Sequence, residues 1–399
     1  MNQVAKKGTE RLQNVLCVSL DSNLARSANG KLGNSTRRVI AMQSVCECMH
    51  IVMRNFRFAP QPEVRLGERC FLYPTNSRGR ASFIIDAVRL GAQIIKRTPI
   101  DVIYTQDPFS SGLVGYTLSR AFGKPLALSF AGDMIDNPHW CSESVRNRIM
   151  NRIGKWLLKQ AAVFRVCSMS EQEKLIGMGV PTERIYNIGF MDDYARFWNA
   201  GGERIRKQFL TNGFDRVVLF VGRLVKQKNV PNLIEAMKIV SNACGSALLL
   251  IIGAGEEGDR LRKQVDRLGI SDRVVFVGPV EYSELPDYFA ACDIFVLPSL
   301  YEGNAMVVKE ASAAGRPTVS TNVSGAYDTI ISGVTGYVVE SDNPDLLAEK
   351  LIELSRSPDR AREMGRAAQS RLAAQYNEEA ILEQFQLMFA CAAGSNGNH

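Results

Sequence analysis

The stretch RVVLFVGRLVKQKNVPNLIEAMKIV, residues 216–240, decides the fold class. It opens on a β-branched and aromatic run that stops at Gly222, and from Asn229 it becomes an amphipathic segment of helical character. A short β-rich run followed by a longer amphipathic one is a β–α unit, and a chain that repeats the unit builds a parallel sheet. Downstream the strand half recurs as ALLLIIG (247–253), RVVFVG (273–278), DIFVLP (293–298) and PTVST (317–321). Upstream it recurs as NVLCVSL (14–20), RCFLYP (69–74), DVIYTQ (101–106), PLALSF (125–130), AVFRVC (162–167) and RIYNIG (184–189). Two such series in 399 residues imply an α/β protein of two globular domains. The polar segment ARFWNAGGERIRKQ (195–208), with Gly201 and Gly202, reads as the joint. The expected division is therefore 1–200 and 201–376. An amphipathic helix over 377–393, packing back on the first domain, and a frayed end to 399 complete the chain. Sheets of this kind hold ligands beyond the carboxyl ends of their strands, so a ligand between the two domains is expected.

A content of 46% hydrophobic and 22% charged residues excludes disordered and fibrous classes. The apolar run ALLLII (247–252) is far shorter than the ~20 residues of a spanning helix. The start, MNQVAKKGTERLQ, lacks the apolar core of a signal peptide, so a cytoplasmic chain is expected. Nine scattered Cys without a C-x-x-C pair argue against a disulfide framework or a four-Cys zinc site. Cys46, Cys48 and His50 could converge on a metal only from an extended strand. The pattern VIAMQSVCECMHIVM (39–53) reads as helical, so buried thiols are expected there.

Charge is spread unevenly. Residues 1–200 carry 27 Lys plus Arg against 16 Asp plus Glu, whereas residues 201–399 carry 21 against 25. A basic first half points to an anionic partner there: nucleic acid, a membrane surface or a phosphorylated substrate. No motif that reads nucleic acid accompanies the charge, so no nucleic-acid partner is expected. In RNRIMNRIGKWLLKQ (146–160), Arg148, Arg152, Lys155 and Lys159 share one helical stripe, and Ile149, Ile153, Trp156 and Leu157 share the adjacent one. Such a helix suits an anionic lipid surface; it also suits packing on a sheet with a solvated charged edge. The 37–58 segment, where Arg37, Arg38, Arg54 and Arg57 bracket an apolar stretch, is a second candidate for the same role.

Motifs that carry chemistry lie mostly in the second half. In IIGAGEEG, Gly253, Gly255 and Gly258 have G-x-G-x-x-G spacing after a strand. Glu256 and Glu257 put negative charge where a pyrophosphate would sit, and RVVFVG ends without a ribose-binding acid, so a tight strand-to-helix turn beside the ligand is the better reading. In FVGRLVKQKN, Arg223 and Lys228 follow a strand end, and two cations there can neutralise a diphosphate leaving group. In PSLYEGNAMVVKEASAAGRPTV (298–319), Glu302 sits in a loop and Glu310 about two turns into a helix beginning near Asn304. Gly303 lets backbone approach a ligand, and the N–H groups of Gly303, Asn304, Ala305 and Met306 form an anion site at the helix start. A helix carboxylate such as Glu310 can accept both hydrogen bonds of a ribose diol.

Taken together, the strand-end GRL-x-x-x-K, a further strand, and EG followed by a second Glu resemble the retaining glycosyltransferases of family 4. The resemblance covers nearly all of the second half, and EKLIGMGVPTERIYNI (173–188) with DDYARF (192–197) is similar to the family's end of the first domain. It implies a GT-B fold, two Rossmann-like parallel-sheet domains facing a central cleft, with a nucleoside-diphosphate sugar on the C-terminal domain and an acceptor on the N-terminal one. It implies that Arg223 and Lys228 bind the diphosphate, Glu310 the ribose and Glu302 the donor-sugar hydroxyls, with Glu302, Arg223 and Lys228 as the catalytic set. Gly253, Val277, Val280, Gly303, Asn304, Ala305 and Met306 would complete the donor site, with the base near Val277 to Tyr282. No D-x-D triplet occurs in the chain, in keeping with side-chain cations in place of a divalent metal, and no cofactor is expected. The implied reaction is retaining transfer of a sugar to a hydroxyl of a glycan or lipid-linked acceptor in surface polysaccharide or glycoconjugate synthesis. A nucleotide-sugar epimerase of the same fold and a non-catalytic donor-binding homologue are the alternatives.

The sequence departs from the family in three places. Relatives carry a His in the stretch corresponding to KPLALSFAGD (124–133), where Ala131 stands here, followed by Asp133. Either His139, in DNPHW, substitutes for it, or the reaction works without an imidazole there. In the EG-x-G pattern, Asn304 replaces an aromatic residue and Ala305 a Gly, which predicts altered donor-sugar contacts. Asp107, in TQDPFSSG, sits at a strand's carboxyl end, placed either to orient an acceptor hydroxyl or to cap the following helix. A membrane-presented acceptor would account for the basic surplus.

Overall fold

The computed structural model describes residues 13–21, 24, 34–56, 63–130, 132–191, 193–211 and 213–395, without the side chains of Asn34, Ser35, Arg80 and Ala81. The chain divides into two compact units. The first is Met1–Asp192 together with Asn377–His399; the second is Asp193–Tyr376.

The first unit is built on β1 (Gln13–Ser19), β2 (Cys46–Met53), β3 (Val64–Gly67), β4 (Cys70–Pro74), β5 (Val102–Thr105), β6 (Leu126–Ser129), β7 (Val163–Val166) and β8 (Ile185–Asn187). They form one sheet in the order β3-β4-β2-β1-β5-β6-β7-β8, parallel except for the antiparallel β3–β4 edge pair. A parallel sheet must be covered on both faces. On one face Phe83 and Ala87 of the Arg80–Arg97 helix, Val114 and Leu118 of the Ser110–Phe122 helix, and Leu157 close a core over Leu16, Ile103 and Leu128. On the other, Val39 and Met42 of the Asn34–Met42 helix join Phe385, Met388, Phe389 and Ala392 of the C-terminal Glu378–Gly394 helix, over Val15, Ile51 and Tyr104. That last helix starts under Asn377, whose side chain accepts the Ala380 N–H at 3.1 Å.

The second unit holds β9 (Arg216–Val221), β10 (Ala247–Ile252), β11 (Val274–Gly278), β12 (Ile294–Leu297), β13 (Thr318–Thr321) and β14 (Gly336–Val339). Their order is β11-β10-β9-β12-β13-β14, all parallel. Every residue of β10 and β12 is buried, as a central strand covered on both faces requires. The helices Val230–Ala243, Gly258–Leu268 and Pro344–Arg356 cover one face, and Leu285–Ala291 and Met306–Ala313 the other.

Three expectations are corrected. Residues 46–53 form a strand, not part of a helix, and a bulge sets Gln13 opposite Cys46 but Asn14 opposite Cys48. The bulge turns Cys46 into the core that holds Met49 and Ile51, whereas His50 packs between Phe71 and Tyr73 with Nδ1 3.1 Å from the Tyr73 hydroxyl. Among the described residues no three such groups converge as a metal site would need. Burial holds the Cys17 and Cys70 thiols up at about 12, so these are inert packing groups. The 37–58 segment is accordingly a helix and a strand rather than one surface helix, and Arg57 lies outside the described residues. The joint is the third correction. The chain passes into the second unit at Asp193, earlier than 200/201, because Tyr194, Phe197 and Ile205 are buried in that unit's core. Gly202 serves close packing there: a Cβ would stand 2.4 Å from the Ala291 nitrogen.

Candidate functional site

At the carboxyl end of β9 the chain turns through Gly222, Arg223 and Leu224 against the turn that follows β10. Gly222 donates to the Ile252 carbonyl (3.0 Å) and Leu224 to that of Ala254 (3.0 Å). Gly253 has φ +132°, and a Cβ on it would lie 1.9 Å from the Gly222 oxygen; one on Gly255 would lie 2.2 Å from the Leu224 oxygen. These glycines let two strand-end turns touch backbone to backbone, which accounts for their spacing without a pyrophosphate. The contact fixes the place from which Arg223 and Lys228 project. Arg223 is exposed and forms no ion pair among the described residues.

Lys228 is directed inward instead. Its Nζ donates to Oε1 of Glu302, an oxygen that also accepts from the Ser299 hydroxyl at 2.8 Å. The pair is almost fully removed from water, and the loop bearing Glu302 is tied to the Lys228 turn by backbone: Leu300 N–H donates to the Gln227 carbonyl (2.8 Å) and Gln227 Nε2 to the Tyr301 carbonyl (2.9 Å). The Thr321 hydroxyl, at the end of β13, donates to the Ser299 carbonyl (2.5 Å). Three adjacent strand ends, β9, β12 and β13, thus hold one lysine and one carboxylate together.

The following helix begins at Met306, so Glu310 stands a little over one turn into it rather than two. Glu310 is buried and accepts from the Tyr282 hydroxyl at 2.9 Å. Tyr282 lies in the 277–282 stretch beyond β11, where Arg196 stacks over its ring at 5.0 Å and donates to its carbonyl at 3.3 Å. Val277 and Val280 are half-buried beside it. The Met306 N–H bonds the Asn304 carbonyl (2.8 Å), so of the expected cradle the N–H groups of Gly303, Asn304 and Ala305 are left without partners among the described residues. Ala305 is buried, and its seat requires Gly325, where a Cβ would meet the Ala305 nitrogen at 2.5 Å. Asn304 turns its amide to the Met306 sulfur at 3.1 Å. The second unit therefore brings Lys228, Glu302, Glu310 and the Gly303–Ala305 amides to the carboxyl ends of its strands. Ser299 and Gly325 are the members that sequence reasoning did not single out, and Tyr282 was expected only as the end of the base-binding stretch, not as a partner of Glu310. The small residue directly after the β12 run was the available signal for Ser299.

In the first unit, Asp107 is buried and its carboxylate is engaged at the start of the Ser110–Phe122 helix. Oδ1 accepts the Phe109 N–H (2.7 Å) and Oδ2 the Ser111 hydroxyl (2.6 Å). Burial nonetheless raises its pKa above the ordinary carboxylate value. Asp133 pairs with Lys174 at 2.6 Å, and His139 is exposed on the short Pro138–Glu143 helix. Ala131 lies outside the described residues. Glu171, not foreseen from the sequence, is buried and accepts the Gly132 and Cys167 N–H groups at 2.7 Å each. Along the Val145–Leu157 helix, Leu157 is buried and Ile153 packs on the core, while Arg148, Arg152, Lys155 and Lys159 are exposed beside Val145, Ile149 (50% exposed) and Trp156 (42%). Lys155 pairs with Asp136 at 2.7 Å.

Comparison with known proteins identifies the family and the fold. Residues 202–371 match the model for glycosyl transferases group 1, and residues 48–189 match that for the glycosyl transferase 4-like domain. A GDP-mannose-dependent alpha-(1-6)-phosphatidylinositol monomannoside mannosyltransferase of Mycobacterium tuberculosis is 33% identical over 189 residues, 46% of this chain and 49% of that protein. The chain thus aligns with about half the length of that relative. Alpha-D-kanosaminyltransferase of Streptomyces kanamyceticus is 27% identical over 67% of this chain and 71% of its own. The fold is that of Anabaena HepE, solved in complex with UDP-glucose, with a TM-score of 0.72 at 20% identity over 93% of this chain and 98% of the other. With two family models spanning both units, and two parallel-sheet domains of matching architecture, the chain belongs to the GT-B glycosyltransferases of family 4.

Proposed function

We propose that the protein transfers a sugar, with retention of anomeric configuration and without a metal, from a nucleoside-diphosphate sugar to a hydroxyl of a glycan or lipid-linked acceptor. The observation that carries this reading is the buried Lys228–Glu302 pair beside the exposed Arg223 and the open amides of Gly303 to Ala305. As the anomeric bond breaks, the sugar gains oxocarbenium character and the nucleoside diphosphate gains negative charge. Arg223, Lys228 and those amides lie where preformed donors can stabilise that anion. Glu302, held by Lys228 and Ser299, presents its other oxygen to donor-sugar hydroxyls, and Glu310 offers its carboxylate to the ribose diol. The names of similar proteins include a GDP-mannose-dependent enzyme and a UDP-glucose complex, so the base is left to the experiment.

The test is thermal unfolding with a panel of nucleoside diphosphates and their sugars. A ligand at ~100 times its dissociation constant adds ~2.7 kcal/mol to the native state. One clear responder is expected, and Glu310→Ala should abolish its effect. A panel without a responder, or a shift that survives Glu310→Ala, defeats the donor-site assignment. Retention is read from the anomeric coupling constant of the product. Metal independence is read from turnover that persists under a chelator.

The acceptor side extends the reading. The exposed face of the Val145–Leu157 helix, cationic and partly apolar, supports an anionic membrane surface as the place where a lipid-linked acceptor is met. No described helix is long and apolar enough to cross a membrane.

A further inference from the structure

A cavity of about 190 Å³ opens in the first unit at the carboxyl ends of β1, β5 and β6, lined by Arg38, Tyr104, Gln106, Ser129, Arg165 and Phe385 among others. Arg165 comes from β7 and is 6% exposed. Its guanidinium has five N–H donors. Nε donates to the Ile188 carbonyl (3.1 Å), Nη1 to the Tyr104 hydroxyl (3.3 Å) and Nη2 to the Gly189 carbonyl (3.0 Å). Two donors remain without partners, and no carboxylate lies within ion-pairing distance among the described residues. Instead the group lies over the rings of Phe190 (4.6 Å) and Phe385 (5.0 Å).

A buried cation with no carboxylate in contact is costly, and aromatic faces, neutral acceptors and the more distant Glu171 offset only part of that. The nearest buried carboxylate on the following helix, Glu171, is occupied by two backbone amides. Ser129, at the end of β6, lines the same cavity, is 1% exposed and has a hydroxyl without any hydrogen-bond partner. Gln106, which also lines the cavity, accepts the Ser19 hydroxyl through Oε1 (2.8 Å). Arg38 brings a second guanidinium over Phe190 at 4.9 Å, against the single carboxylate of Asp21. The lining is thus rich in donors and cationic, and its volume equals about six waters in the liquid.

We propose that this cavity binds the anionic group of a small molecule, a carboxylate or a phosphate, with Arg165 and Ser129 as its direct donors. All of its lining residues belong to the first unit, and it does not require the transfer reaction to be correct. Two sources share this chemistry: the anionic end of the acceptor, and a free effector.

The full chain is titrated with inorganic phosphate and with succinate at low ionic strength, by calorimetry and by thermal unfolding, against chloride at matched ionic strength. Binding is expected with one of the two anions, together with a rise in Tm beyond that given by chloride. Arg165→Met and Ser129→Val should each weaken it about tenfold or more, the scale of a lost hydrogen bond to a charged group. Ser129→Val breaks no existing hydrogen bond, so it keeps the test decisive if Arg165→Met fails to fold. A Tm rise no larger than that with chloride, or binding unchanged in Ser129→Val, overturns the proposal. Under turnover, an anion that raises acceptor KM at constant kcat identifies the acceptor's own group, and one that changes kcat at saturating acceptor identifies an effector; either upholds the site.

Discussion

At the residue scale, Lys228 and Glu302 stabilise each other only as a pair. Lys228→Met leaves a buried carboxylate with Ser299 as its main partner and should cost the second unit about 3 kcal/mol. The double variant Lys228→Met with Glu302→Gln should recover most of that stability while leaving donor binding impaired. Urea unfolding of the two variants checks the first statement, and donor titration checks the second. Equal stabilities of single and double variants would mean the pair is not coupled.

Glu171 carries the clearest pH dependence. Burial is the largest influence on it and raises its pKa above 4.5, against the lowering effect of the Cys167 and Gly132 amides. The folded chain therefore holds this proton more tightly than the unfolded chain does. Its contribution to stability falls as pH climbs from 4.5 through the raised value. Wild type should lose more stability than Glu171→Gln between pH 4.5 and 7.5, on top of a constant offset of about 1–3 kcal/mol in the variant, whose amide nitrogen faces a backbone N–H. Parallel curves would show that Glu171 does not titrate in that window.

At the scale of elements, the Val145–Leu157 helix presents cations and apolar side chains to solvent on one face. Wild type should sediment with anionic vesicles and not with neutral ones, and Arg152→Glu with Lys155→Glu should abolish this, since each cation near the surface contributes about 1 kcal/mol. Sedimentation that ignores the double reversal removes this helix from membrane docking. The striped spacing of that helix was legible from sequence; the strand β2 was not. Met49 to Met53 is buried on both faces of the sheet, and such an unbroken apolar run has no period of two to detect. The bulge at Cys46–Cys48 breaks what alternation remains. The edge strand β3, four partly polar residues, and the short β14 carry too little pattern to be seen. In the site, Lys228, Glu302 and Glu310 were legible because each lies in a strand–turn–helix segment, Lys228 after β9 and the two Glu after β12, whose local spacing places it. Ser299, Gly325 and the bond from Tyr282 to Glu310 were not, since their parts follow from which strand ends meet in space.

At the scale of the molecule, each sheet has its own pair of cores, and the Glu378–Gly394 helix belongs to the first unit although the sequence places it after the second. It contributes Phe385, Met388, Phe389 and Ala392 to the core over Tyr104. Buried Phe and Met side chains are worth roughly 1.5–3 kcal/mol each. A chain ending at Tyr376 should therefore lose stability selectively in the first unit, read as hydrogen exchange that quickens in β1, β5 and β6 and stays unchanged in β9 and β10. Uniform quickening would refute the independence of the two cores.

The same returning helix bears on how the chain folds during synthesis. Proteins usually complete their amino-terminal domain first as they leave the ribosome. Here the amino-terminal sheet emerges with one face covered only in part, by the Asn34–Met42 helix, and at ordinary elongation rates it waits roughly 10–40 s while the second unit is made. The second unit, contiguous in sequence, is free to close before the first. Nascent chains stalled near residue 376 should thus be the form most prone to chaperone capture, through the uncovered apolar face that Phe385 and Phe389 later seal.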